Sequence, residues 1–463
     1  MAGRRSLPDG SSGDQQPVAA VSGSGGALAV IRMSGRNCLE LLRPLTGFSS
    51  MNPAEARRLL LTDIRDPKNQ EVIDRAMVVW FNGPASFTGE DSAEIHCHGG
   101  DWIVRRILEI LLDAGFHPAG PGEFTKRAFL NGKMDLTQAE GVNALVTAAS
   151  QQQWLAARHL ATGRLSERIQ NLRDQLVGAM ALLEAGIDFP DEGDTAGVDR
   201  RQVMERVAVV EQTVRELAAT WEDGQVAARG LQVSLLGEPN AGKSTLLNTL
   251  LDRDRAIVTP EAGTTRDYIE ESCLIDGRLI RLVDTAGVRR TQNRVEEAGV
   301  GHALRLAEEA DLVLVLLPVH SDPQAARQAA AWLREFGGKA RLVGTKADLP
   351  GEAGTGQPVP EVRLSCRTGA GLRALKELLR DEVDRHVRAI SDQPFVTSPR
   401  HRAALQNCLA CLARFTEAAR ADAYEEMLAF ELQGAARALA SVIGAVHNED
   451  LLDRIFAEFC IGK

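Results

Sequence analysis

The sequence predicts a mixed α/β and α chain: an N-terminal α/β domain, then a helical domain interrupted by an inserted, doubly wound α/β domain. Three observations predict it. Strand-like runs and one helical stretch share the region from residue 17 to about 132. Long apolar stripes at helical spacing fill the stretches before residue 229 and after 384. Between them, short apolar strands alternate with helices, beginning at a Gly-rich loop. Neither helical block closes a core alone, so the two read as halves of one domain. The expected boundaries are a polar tail at 1–16, then 17–132, 133–228, 229–384 and 385–463.

In the first domain the strands are expected at Val18-Ala19-Ala20-Val21, 27–32, 76–81 and 92–98, with a helix from Trp102 to Ala114 carrying Ile103, Ile107 and Leu111 on one stripe. Alternation in Ser92-Ala93-Glu94-Ile95-His96-Cys97-His98 puts Glu94, His96 and His98 on one face and Ala93, Ile95 and Cys97 on the other. The polar face reads either as a metal site, since carboxylate and imidazole suit Zn²⁺ or Fe²⁺, or as the lining of a groove. From Thr137 to Glu184 the pattern is helical, with Ile169, Leu172, Leu176, Met180 and Leu183 stepping by three and four. Val203, Val207, Val210, Val214, Leu217 and Trp221 repeat the step, as do Leu405, Leu409, Leu412 and Phe415. These stripes read as bundle core. In the inserted domain strands are expected at 231–236, 272–275, 279–283, 312–317, 341–344 and 362–365, with Asp276-Gly277 turning a hairpin.

A chain of 463 residues with formal charge −10 is no polycation built to coat nucleic acid, although net charge leaves a local basic face open. Seven cysteines suggest free thiols in a reducing compartment rather than a disulfide framework. The N-terminal stretch lacks an apolar signal core, and the longest clean apolar run, Leu312 to Leu317, is too short to cross a bilayer. The expectation is a cytoplasmic chain with no membrane partner.

The chemistry concentrates in the inserted domain. Gly237-Glu238-Pro239-Asn240-Ala241-Gly242-Lys243-Ser244 stands between a strand and the helix start Thr245-Leu246-Leu247, which is the context of a phosphate-binding loop. Its glycines let backbone N–H groups curl around a β-phosphate at a positive helix N-terminus. Lys243 would neutralise the β/γ oxygens and Ser244 would offer a hydroxyl to Mg²⁺. Further along, Gly263-Thr264-Thr265-Arg266-Asp267 supplies a second Mg²⁺ hydroxyl from Thr265. Asp284-Thr285-Ala286-Gly287 places Asp284 to hold the metal's water and the Gly287 N–H to sense a γ-phosphate. Thr345-Lys346-Ala347-Asp348 and Ser365-Cys366-Arg367 complete the set. Asp348 decides the base, because a carboxylate can accept from N1–H and the 2-amino group of guanine, whereas adenine offers neither. Five elements in this order make a GTPase domain. Position 288, where signalling GTPases carry a water-orienting Gln, is Val, so another residue must orient the water. Asn240 offers an oxygen to a monovalent cation standing where an arginine finger would otherwise act.

From residue 17 to 463 the chain resembles the MnmE (TrmE) family of tRNA-modification GTPases. The resemblance is carried by the segments 83–91 and 121–136, by Gly263-Thr264-Thr265-Arg266-Asp267 and by the terminal Phe459-Cys460-Ile461-Gly462-Lys463. It implies an N-terminal folate-binding domain that forms a homodimer. It also implies a helical domain split by the GTPase insertion, and work with the flavoprotein MnmG in a heterotetramer on C5 of the tRNA wobble uridine. The implied cofactors are GTP, Mg²⁺, K⁺ and 5,10-methylene- or 5-formyl-tetrahydrofolate. Residue by residue, Arg32, Glu94, Lys133 and Lys463 resemble the folate contacts, and Cys460 the tail cysteine used in the modification. Asn240, Thr259, Glu261 and Thr264 resemble the K⁺ cage, and Glu296 the glutamate that orients water. The chain departs from the family pattern at Thr345, where Asn is usual. Two rival readings are a GTP-switched ribosome-assembly factor, which would want a basic RNA-binding appendage, and a one-carbon transferase regulated by GTP.

Overall fold

The computed structural model describes residues 18–22, 26–188, 200–254, 270–283, 296–350, 358–390, 393–446, 449–460 and 462. The chain divides into two compact units, Met1–Ala139 with Gly444–Lys463, and Glu140–Ile443.

The first unit is built on a sheet of six strands: β1 (Val18–Ser22), β2 (Leu28–Ser34), β3 (Leu60–Arg65), β4 (Val72–Phe81), β5 (Ser92–His98) and β6 (His117–Pro118). Their order is β3-β4-β5-β2-β1-β6, antiparallel except where β6 joins β1. Strand β3, the beginning of β4 and the two-residue β6 lie outside the sequence expectation. In β3 only Ile64 is buried, so an edge strand with one anchored side chain shows no alternation to read. The helix Asp101–Asp113 covers the sheet with Val104, Ile107, Ile110 and Leu111, closing a core with Ile31, Met33, Trp80 and Ile95. By its contacts the C-terminal segment from Gly444 groups with this unit. Its helix Glu449–Ala457 and the tail bring Leu452, Phe456 and Phe459 against Leu136 and Ala139.

The helical run expected from 137 to 184 is broken into Leu136–Thr147, which begins in the first unit, and Gln151–Ala161 and Arg164–Asp188 of the second. Ser150 caps the second piece by accepting from the Gln153 N–H at 3.2 Å, and Gly163, with φ of 78°, turns the chain into the third. Helices Arg164–Asp188, Arg200–Ala219, Pro399–Arg420 and Glu425–Val442 enclose one core. The expected stripes face into it: Ile169, Leu172, Leu176 and Leu183; Val203 to Leu217; and Leu405, Leu412 and Phe415. Glu425–Val442 adds Leu428, Leu432, Leu439 and Val442, a stripe the sequence reading did not separate.

The same unit holds the second sheet: β7 (Leu231–Leu236), β8 (Glu270–Ile275), β9 (Arg278–Val283), β10 (Leu312–Pro318), β11 (Ala340–Thr345) and β12 (Val362–Arg363). Its order is β12-β11-β10-β7-β9-β8, parallel except for the hairpin β8–β9. Asp276 and Gly277, at φ of 48° and 77°, make the hairpin turn that the Asp-Gly pair predicts. Chain order reverses between β7 and β10, so the loop after β7 leaves the sheet at the topological switch point.

Candidate functional site

The loop Gly237–Gly242 joins β7 to the helix Lys243–Asp254. Asn240 and Gly242, at φ of 66° and 100°, bend the backbone so that successive N–H groups can face a concavity at the helix start. A side chain on Gly237 would meet the Leu316 carbonyl at 2.8 Å, so the loop must leave the sheet bare at that point. Lys243 arches back over the loop and its ammonium donates to the carbonyls of Gly237 (2.6 Å) and Glu238 (3.0 Å), which holds the charge above the turn. Asn240, Ser244 and Thr245 are exposed beside it, and Ala241 is buried beneath.

The ends of β11 and β12 converge on this loop. The buried Thr345 hydroxyl donates to the Ala241 carbonyl at 2.7 Å, tying the base-recognition motif to the phosphate loop. Sequence comparison marks Thr345 as the loss of a longer bridging side chain; in the structure the shorter one makes a bridge of its own. Lys346 turns the chain outward at φ of 57°, and the Ala347 N–H donates to the Leu364 carbonyl at 3.1 Å. Asp348 is therefore carried beside Ser365, whose hydroxyl donates to it at 2.6 Å, while the exposed Arg367 pairs with its other oxygen at 2.7 Å. The Ser365 hydrogen bond, helped by Arg367, holds Asp348 below the usual carboxylate range despite partial burial. The carboxylate is thus charged, and Ser365 and Arg367 fix its position by holding one oxygen each. Burial raises the Cys366 thiol above its ordinary value, so it packs as a neutral group next to Thr249. A Cβ on Gly371 would sit 2.0 Å from the Arg363 carbonyl, so this glycine lets the helix Leu372–Ala389 start against the Ser365 turn.

Of the remaining predicted residues of this site, Thr259, Glu261, Thr264, Thr265, Asp284, Thr285, Ala286 and Gly287 lie outside the described residues. Glu296 begins the helix Glu296–Glu309, and its side chain is likewise outside the description.

In the first unit, Arg32 on β2 faces Glu94 on β5 across the ladder, and its guanidinium donates to the carboxylate at 2.9 Å. The other Glu94 oxygen meets His96 Nε2 at 3.2 Å, and the Arg32 guanidinium reaches the Gly462 carbonyl at 3.4 Å. His98 is turned away to Asp74, Nδ1 to Oδ1 at 2.8 Å. The polar face of β5 is divided between two clusters, and among the described residues no group of three or more His, Cys, Asp and Glu could hold a metal ion. Lys133 stands apart from the Arg32–Glu94 pair, its ammonium donating to the Pro84 carbonyl at 2.9 Å. That carbonyl belongs to a loop anchored by contacts that the sequence does not announce: Ser34 contacts Thr88 (2.6 Å) and Glu90 (2.9 Å), and Arg127 pairs with Glu90 (3.2 Å). Arg127 is one charge among several on its helix, and only its burial distinguishes it. Cys460 is exposed, and its carbonyl accepts from the Gly122 N–H at 3.3 Å; Lys463 lies outside the described residues.

Two family models match the chain: the GTP-binding protein TrmE N-terminus over residues 17–133, and the MnmE helical domain over residues 136–460. The chain is 40% identical over 439 residues to the tRNA modification GTPase MnmE of Akkermansia muciniphila, covering 95% of this chain and 96% of that protein. It is 42% identical over 445 residues to that of a Methylobacterium species, covering 94% and 97%, and 38% over 441 residues to that of Thermus thermophilus, covering 95% and 96%. The chain belongs to the MnmE family. It is a P-loop GTPase that acts in tRNA modification, and the family's helical model spans the inserted domain, as expected for one domain split by another. Among the described residues no helix is long and apolar enough to cross a membrane.

Proposed function

We propose that GTP hydrolysis by this chain drives modification of C5 of the wobble uridine, to carboxymethylaminomethyl- or aminomethyl-uridine. It does so as a homodimer, with a flavoprotein of the MnmG kind in a heterotetramer. A reduced folate, 5,10-methylene- or 5-formyl-tetrahydrofolate, carries the one-carbon unit that becomes the bridging carbon. The observation that carries this reading is the Arg32–Glu94 pair beside the Gly462 carbonyl, a donor, an acceptor and the tail gathered on one sheet face. A pterin presents an amide and an amine and its tail a carboxylate, so it needs both an acceptor and cationic donors; this set fits. Glu94 would accept from the pterin, Arg32 and Lys133 would donate, and Lys463 and Cys460 would be delivered by the tail.

At the nucleotide, Lys243 spreads the β/γ charge, the loop N–H groups hold the phosphates and Asp348 selects guanine. Ser244, with Thr265, fits a Mg²⁺ ligand set of hydroxyls, and Asp284 orients a water of that ion. Asn240, with Thr259, Glu261 and Thr264, fits an all-oxygen K⁺ set, and a monovalent cation there supplies the positive charge that phosphoryl transfer demands. Glu296 orients the attacking water in place of the residue that Val288 cannot replace. The expectation is faster hydrolysis in K⁺ than in Na⁺ at matched ionic strength, with Asn240→Ala abolishing the difference; equal rates in the unsubstituted protein would defeat this mechanism. A deletion strain should lack the wobble modification, and normally modified tRNA in that strain would sink the whole reading, including against a role in ribosome assembly.

A further inference from the structure

From residue 141 to 166 the chain carries no Asp or Glu, in a protein whose formal charge is −10. That stretch contains the junction of the helices Gln151–Ala161 and Arg164–Asp188. Trp154, Arg158, Arg164 and Arg168 are exposed around it, with one exposed carboxylate, Glu167, between the last two arginines. Trp154 is 45% exposed, and the Arg158 guanidinium lies 5.4 Å from its ring centroid. His159 is held below its ordinary value by burial and then by the charges of Arg164 and Arg158. Among the described residues Arg158, Arg164 and Arg168 form no ion pair. Arg200, Arg229, Arg278, Arg373 and Arg414 of the second unit each have a carboxylate, whereas Arg327 and Arg334 are exposed as the junction arginines are; the exposed indole beside Arg158 is what marks the junction.

Two properties coincide here. Unpaired guanidinium groups bind phosphate oxygens in bidentate fashion without first giving up a carboxylate. An exposed indole stacks on any nucleobase, and a guanidinium on one of its faces leaves the rest of the ring surface available. An acidic polypeptide could engage both groups as well, but tRNA, the substrate of the family, presents phosphates and unpaired bases in one molecule.

We propose that this helix junction is a contact surface for tRNA, with Arg158, Arg164 and Arg168 on consecutive phosphates and Trp154 against an unpaired base. The inference rests on the tRNA reading of the family and adds to it the place on this chain where the nucleic acid lands. It also reconciles an acidic protein with a polyanionic substrate, because net charge describes the whole chain and a basic cluster can be local.

The test uses the full-length protein and a fluorescently labelled, unmodified tRNA transcript with uridine at the wobble position. Binding is followed by anisotropy across a NaCl series. Arg158→Gln with Arg164→Gln should weaken binding about tenfold and make the log–log salt slope shallower by about 1.5 to 2. Trp154→Ala should weaken it about tenfold with the slope unchanged. Lys at both arginine positions should restore the slope. Arg327→Gln with Arg334→Gln, exposed arginines on the helix Pro323–Phe336, makes the same charge change elsewhere and should leave binding intact. GDP affinity and tRNA-free GTP hydrolysis should be unchanged in every variant, which shows that they fold. Wild-type affinity in the junction variants, or an equal loss in the control pair, overturns the surface while leaving the tRNA reading standing. Failure of the unsubstituted protein to bind the transcript overturns both. Loss of heparin binding in parallel, with no effect of Trp154→Ala, reduces the surface to a general polyanion contact and also overturns it.

Discussion

At the nucleotide site every described residue lies within a few positions of a strand's C-terminal end: Asn240 to Ser244 after β7, Thr345 to Asp348 after β11, Ser365 and Arg367 after β12. Parallel strands end on one edge, so the motifs meet because the sheet forms. The Arg32–Glu94 cluster is assembled differently. Its two charged residues are 62 positions apart, and the Gly462 carbonyl comes from 430 positions beyond Arg32. Nothing local brings the tail there; Phe456 and Phe459 do, by packing on Leu136 and Ala139. A site made of strand-end motifs tolerates loss of distant contacts, and a site made of a docked tail should not.

The largest effect expected from this contrast is at Lys243. Lys243→Ala removes the one ammonium over the phosphate loop, and single-turnover hydrolysis should fall about 10²–10³-fold, about 3–4 kcal/mol of transition-state stabilisation. Folate affinity of the same variant, measured by calorimetry, should not move. Loss of both would show that the two regions are not built independently.

The converse experiment removes Cys460 to Lys463 or changes Glu94→Ala. Either leaves the Arg32 guanidinium short of a partner, and 5-formyl-tetrahydrofolate affinity should drop about 10- to 100-fold, in line with about 1.5–3 kcal/mol for a hydrogen bond to a charged group. GDP affinity should stay within about twofold. Unchanged folate binding in the truncated protein would detach the tail from the site.

A smaller effect tests the bridge at Thr345. Thr345→Val keeps the shape but strands the Ala241 carbonyl, and GDP affinity should weaken about fivefold, about 1 kcal/mol. Thr345→Asn restores the family's side chain and should tighten GDP by a few-fold; weaker binding would mean that the present hydroxyl bridge is the better one for this loop.

The last effect lies outside both sites, at Glu140, and is read in stability rather than in binding or turnover. Burial opposes its charge, but His401 and Arg400 overcome that and hold the carboxyl below its ordinary range. A depressed folded-state value stabilises the protein at any pH above the unfolded glutamate's, about 4.3, and that stability is lost as pH falls through the folded value. Urea unfolding between about pH 3 and 6 should therefore show an acid limb that Glu140→Gln flattens. An identical limb in the variant would assign it to other carboxylates.

The sequence by itself determined the elements whose signal is local. The phosphate loop, the Asp-Gly hairpin and the helix stripes were legible because loop chemistry and side-chain periodicity are properties of neighbours in the chain. The face shared by Glu94 and His96 followed from alternation alone. Only the tertiary structure decided which of several polar residues meet. It paired Arg32 with Glu94 through the β2–β5 register, sent His98 to Asp74, and packed Phe456 and Phe459 of the C-terminal segment on Leu136 and Ala139. It also let Thr345 reach Ala241, a contact set by the spacing between β11 and the loop rather than by residue type. The edge strand β3 and the buried Arg127–Glu90 pair stayed unread for one reason: an edge strand is specified by a single anchored side chain, and an ion pair by two residues that the chain keeps 37 positions apart.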